Sequence, residues 1–174
     1  MYDALFSIVI FGDDGCGKTS LVKKFMTNIF ISDSPRTIGV DFEIKSFNLG
    51  NRKIKLQIWD FGSAKRSFLL SSYIVSARGG LFMYDITNYF SLAHLDDWIG
   101  IVRKEKRADV WFPIIMVGGK ADLGNEREVS TQEGREIAKS RGVDGFIECS
   151  SKSGENVENV FKTLTRLMML KTFK

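Results

Sequence analysis

An apolar run at residues 5–11 leads into Gly12-Asp13-Asp14-Gly15-Cys16-Gly17-Lys18-Thr19, and helical periodicity begins at once after it. The octapeptide fits GxxxxGK(S/T) at every fixed position, with the preceding strand and following helix that this spacing needs to work. Glycines let successive backbone N–H groups converge on an anion, and a helix start adds partial positive charge. The motif places Lys18 to bridge the β- and γ-phosphates of a nucleoside triphosphate. It also places Thr19 to offer its hydroxyl to Mg²⁺, which takes oxygen ligands in octahedral geometry. A glycine-rich turn that merely packs a helix closely leaves Lys18-Thr19 unexplained.

The rest of the chain repeats this strand-then-helix grammar. Short β-rich apolar runs at 5–11, 80–86, 113–117 and 146–149 each precede a longer helical pattern, at 18–27, 91–106, 131–141 and 155–170, with a further helix at 68–77. Ser130 to Glu133 has the spacing of a capping box. Two alternating runs, 40–48 and 53–60, flank Leu49-Gly50-Asn51-Arg52 and predict a β-hairpin. The expectation is an α/β fold in one domain spanning 1–174, with ligands at the carboxyl ends of the parallel strands. At 174 residues with 44% hydrophobic and 26% charged side chains, the chain can bury a full core, which excludes global disorder. Its longest apolar run, 110–117, is far short of the roughly 20 residues that cross a bilayer. Cys16 and Cys149 read as free thiols, no secretory leader opens the chain, and the expected location is cytoplasmic. The 25 basic and 21 acidic residues intermix without a basic stripe, which argues against nucleic acid as a partner.

Further motifs follow in a fixed order: Thr37-Ile38-Gly39-Val40-Asp41-Phe42, Lys55-Leu56-Gln57-Ile58-Trp59-Asp60, Tyr84-Asp85-Ile86-Thr87, Lys120-Ala121-Asp122-Leu123 and Glu148-Cys149-Ser150-Ser151-Lys152. With the glycine loop, these resemble the Ras superfamily of small GTPases, and most of all its Rab branch, over essentially the whole chain. The resemblance implies a P-loop NTPase G domain: a six-stranded, mostly parallel sheet with one antiparallel strand and helices on both faces. It implies binding of GTP or GDP with Mg²⁺, and two switch loops read by effectors and regulators. By position, Asp14, Gly15, Cys16, Gly17, Lys18, Thr19, Ser20, Phe30, Thr37, Ser63, Lys120, Asp122, Ser150, Ser151 and Lys152 would bind nucleotide. Thr19, Thr37 and Asp60 would hold the metal, and Lys18 and Thr37 would serve catalysis. Asp122 would accept hydrogen bonds from guanine N1 and N2, and a carboxylate there rejects adenine. The backbone N–H groups of Ser150 and Ser151 would face guanine O6. Taken alone, Asp122 also fits an ordinary loop acid, Phe30 a surface aromatic, and Trp59 a packing residue. His94 lies outside every motif.

Four departures from the family pattern matter most for what this chain does. Where the second switch reads WDTAGQE, this chain has Trp59-Asp60-Phe61-Gly62-Ser63-Ala64-Lys65, so Ala64 replaces the water-orienting glutamine and Ser63 a glycine that meets the γ-phosphate. Asp14 brings a carboxylate toward the γ-phosphate, a like charge that Mg²⁺ or Lys65 would have to screen. Gly119 replaces the asparagine of NKxD, whose side chain braces the phosphate loop. Phosphoryl transfer depends on positioning, so very slow hydrolysis is expected. Three functions compete: a Rab-like switch, a pseudo-GTPase scaffold that binds nucleotide without meaningful hydrolysis, and a P-loop kinase or ATPase, which lacks a lid motif and faces Asp122. The sequence stops at Lys171-Thr172-Phe173-Lys174 without a lipid-acceptor cysteine, so no membrane anchor is expected in this chain, and a monomer is expected.

Overall fold

The computed structural model describes residues 1–32, 37, 39–62, 68–107 and 109–172. Six strands form one sheet in the order β2-β3-β1-β4-β5-β6: β1 (Ala4–Phe11), β2 (Val40–Leu49), β3 (Arg52–Phe61), β4 (Gly79–Asp85), β5 (Ile114–Gly119) and β6 (Gly145–Glu148). All neighbours are parallel except the β2–β3 hairpin, whose register runs from Val40 opposite Phe61 to Leu49 opposite Arg52. Gly50, at φ 59°, opens its two-residue turn, a conformation that suits glycine.

Alternation along the strands feeds two cores. On one face Ile8, Ile10, Leu56, Leu81 and Val117 pack against α1 (Lys18–Thr27) and α6 (Val157–Thr172). There Phe25 of α1 stacks on Phe161 of α6, with centroids 3.9 Å apart. On the other face Val9, Phe11, Phe82 and Met116 meet α2 (Phe68–Ser76), α4 (Leu95–Glu105) and α5 (Thr131–Ser140). Every residue of β4 and β5 is buried, as strands covered on both faces must be, and each large apolar side chain so placed contributes about 1.5–3 kcal/mol. Among the described residues no helix is long and apolar enough to cross a membrane.

One expected helix is two. The pattern at 91–106 divides into α3 (Tyr89–Ala93) and α4, which meet at His94 (φ −82°, ψ 4°). The start moves back because the Asn88 side chain accepts from Phe90 N–H and caps the helix. The break sits at the residue whose ring meets the Asp13 carboxylate, while Trp98, one turn on, donates to the other Asp13 oxygen at 3.1 Å. Ser130 caps α5 as expected, its hydroxyl accepting from Glu133 N–H.

Helix α5 lies so close to the sheet that a Cβ on Gly134 would stand 2.6 Å from Tyr84 Oη and 2.9 Å from Phe146. Gly134→Ala therefore opposes a helix-propensity gain of about 1 kcal/mol against an overpacking cost of about 1–3 kcal/mol. Overpacking should win by up to about 2 kcal/mol, lowering the thermal midpoint by up to about 8 °C in calorimetry; a raised midpoint would show that α5 stands off the sheet.

Candidate functional site

The carboxyl ends of β1, β4 and β5 open onto a cleft of ≈ 480 Å³, within the range that holds a small-molecule ligand. Its floor is built by backbone geometry. Gly12, at φ 143°, is pressed against β4, so that a Cβ there would lie 2.1 Å from the Met83 carbonyl oxygen. Gly15 and Gly17 also take positive φ, at 75° and 97°, and Gly17 caps α1 with no side chain bonded to it among the described residues. The first N–H groups of α1 therefore have no side-chain cap among the described residues, the state in which a helix start can receive an anion.

Lys18 is buried, and its ammonium donates to the Gly12 and Asp13 carbonyls at 3.0 and 2.8 Å, which fixes the cation beside the loop it belongs to. Asp13 in turn is tied to His94 and Trp98, so the loop is anchored to α4 as well as to β1. Asp14 lines the cleft and accepts from Gly15 N–H at 3.1 Å. Cys16 and Cys149 are buried, and burial pushes their thiols up to about 11 and about 12, so both are neutral at physiological pH.

Three oxygens converge at the loop's end. Thr19 donates to Asp60 Oδ2 at 2.5 Å and lies 2.5 Å from Thr37 Oγ1; since its single proton goes to Asp60, Thr37 is the donor in that second pair. Asp60 is 2% exposed, and its Oδ1 has no hydrogen-bond partner among the described residues. Burial pushes the Asp60 carboxyl up, against the pull of the Thr19 hydroxyl. Two hydroxyls and a carboxylate, one of whose buried oxygens has no partner among the described residues, make a hard-oxygen donor set that fits Mg²⁺. Among the described residues no three His, Cys, Asp or Glu side chains gather, so a cation here would draw its remaining ligands from water and a bound anion. The Thr37 segment is also tied to β3's end: Gly62 N–H donates to the Gly39 carbonyl at 3.0 Å, and a Cβ on Gly62 would stand 2.2 Å from the Thr37 carbonyl.

The opposite wall comes from the loops after β5 and β6. Lys120, in the left-handed region at φ 64°, pairs with Asp85 at 2.5 Å. Asp122 lies in the first turn of a 3-10 helix, Ala121–Glu126, and accepts from the Ser150 hydroxyl at 2.6 Å. Phe30, Ser20, Ser151 and Lys152 complete the expected lining. Ser150 differs from expectation, because its backbone N–H is engaged by the Glu155 carbonyl at 3.0 Å. It reaches the site through its hydroxyl, which holds Asp122. Cys16, Asp60 and Ser150 stand behind the lining rather than in it, while Ser63, with Ala64, Lys65 and Ile38, lies outside the described residues. Sequence reasoning missed Phe61, Gly62, Met83, Ser32 and Leu123, which also line the cleft. Only Phe61 and Gly62 carried a signal, as departures within the WDTAGQE segment.

Beside the cleft, an aromatic row runs across the β2–β3 hairpin to α2. Phe42 and Trp59 lie 4.2 Å apart, Trp59 and Tyr73 4.3 Å, and Tyr73 and Phe61 5.4 Å. Phe42 and the neighbouring Ile44 are exposed.

The family model described as Ras family matches residues 7–170. The chain is 38% identical over 171 residues to "Ras-related protein Rab-8B" of Homo sapiens, covering 98% of this chain and 81% of that protein. It is 38% identical over 166 residues to "Ras-related protein Rab-8A" of Mus musculus, covering 95% and 79%. A glycine loop feeding a helix, a mostly parallel six-stranded sheet with one antiparallel pair, and these matches across nearly the whole length agree: the chain belongs to the Ras family of small GTPases, on its Rab-like side.

Proposed function

We propose that this chain is a guanine-nucleotide switch that binds GTP and GDP with Mg²⁺ and hydrolyses GTP very slowly. The observation that carries the reading is the convergence of Thr19, Thr37 and the orphaned Asp60 oxygen beside Lys18. Thr37 belongs to a segment remote from the glycine loop, and its arrival there is the arrangement in which a triphosphate would be sensed. In this reading the loop N–H groups and Lys18 hold the β- and γ-phosphates, and Thr19, Thr37 and Asp60 hold the cation. Mg²⁺, when bound, would neutralise charge developing on the phosphate oxygens.

Base selection falls to Asp122, oriented by the Ser150 hydroxyl, with the Lys120 stem along the base and Phe30, Ser151 and Lys152 at its rim. Because Gly62 packs on the Thr37 carbonyl and Gly39 accepts from Gly62, loss of the γ-phosphate contact at Thr37 would loosen both switch segments together. The aromatic row of Phe42, Trp59 and Tyr73 adjoins those segments and supplies the surface an effector would read, in trafficking or signalling. Replacing Asp122 by Ala should cut the preference for GTP over ATP by about 10²-fold or more in competition with a fluorescent nucleotide. Undiminished discrimination by that variant would remove Asp122 from base recognition.

A second reading, an interaction scaffold that holds nucleotide without turning it over, is favoured by Ala64, which can neither position nor polarise a water. Ala64→Gln should raise the single-turnover hydrolysis rate by about 10-fold or more if the missing amide is the main defect. An unchanged rate would move the defect to Ser63 or Asp14 and favour the scaffold.

A further inference from the structure

Met83 lies against three glycines of the two ligand-holding loops, Gly12, Gly17 and Gly119. Its carbonyl presses on Gly12, and its methyl Cε lies 3.4 Å from where a Cβ on Gly17 would stand. The same methyl lies 2.4 Å from the Cβ position of Gly119, where the Cys16 carbonyl is 3.1 Å away and the Tyr84 carbonyl 3.4 Å. Met83 is 1% exposed and lines the cleft. Thus the space beside residue 119 is filled by a thioether reaching across from β4. An unbranched, polarisable methionine suits such an irregular gap.

We propose that Met83 is a positioning residue for the nucleotide cleft, and that Met83 and Gly119 form one steric unit joining the phosphate loop to the base-side loop. The methyl group supplies by packing the brace that a side chain at 119 would otherwise supply, and each residue constrains the other. A side chain at 119 requires the methionine to leave, and a smaller residue at 83 removes the thioether packed against both loops. Met83 belongs to the buried cluster that includes Ile10 of β1 and Val117 of β5, and it also borders the cleft. The cleft therefore presents an apolar methyl between its phosphate and base ends.

The proposal rests on the nucleotide reading above for its functional half and on packing alone for its steric half, so the test has two readouts. In a double-mutant cycle with Gly119→Asn, Met83→Val and the pair, the thermal midpoint of EDTA-stripped protein reports packing. The dissociation rate of fluorescent GDP in Mg²⁺ reports positioning. Each single variant should lose about 3–10 °C and release GDP faster than the parent. The double variant should recover most of the midpoint, and its release rate should be slower than the product of the single effects by about fivefold or more. Additive midpoints would overturn the steric unit. Coupled midpoints with additive release rates would overturn the positioning role. A parent that binds no GDP at all would instead count against the nucleotide reading, while the midpoint cycle still decides the steric unit.

Discussion

The close approach of β4 to the end of β1 is the constraint on which the cleft depends. With the Met83 carbonyl 2.1 Å from any Cβ at Gly12, the chain must leave the sheet as glycine and can then curl its amides around an anion site. The parallel pairing of Phe11 with Phe82 one residue earlier brings the two backbones together there. The hydrophobic cores on both faces of the sheet hold that register, and the ligand-facing backbone inherits its precision from buried side chains that never meet a ligand.

From this loop the rest of the site is tied on by a few polar links between distant segments. Asp13 reaches α4 through His94 and Trp98, Thr19 reaches Thr37 and Asp60, and Asp122 reaches Ser150. Among the described residues the Thr37 and Gly62 segments meet through a carbonyl-to-glycine contact and the Gly62 to Gly39 backbone hydrogen bond, beside the pairing of Val40 with Phe61.

Strands, hairpin, helix cap and glycine loop were legible in the sequence because each is a local pattern: alternation, a two-residue turn, a Ser-to-Glu spacing, a fixed motif. The break at His94 was not, since helical periodicity runs through it and its partner Asp13 lies 81 residues away. The convergence of Thr19, Thr37 and Asp60 was readable only through family resemblance, because no spacing rule links those positions. Ser150 as the support of Asp122, rather than as an amide donor, needed the Glu155 carbonyl to be seen. Met83 gave no signal at all: a methionine in a buried strand is ordinary packing until the glycine facing it is placed.

The proposed function requires that this cleft hold a guanine nucleoside triphosphate with Mg²⁺ and scarcely hydrolyse it. Denaturing freshly purified, Mg²⁺-containing protein and separating the released nucleotide by chromatography tests that claim most directly. The account predicts near-stoichiometric guanine nucleotide with GTP retained; release of adenine nucleotide, or of none, would contradict it.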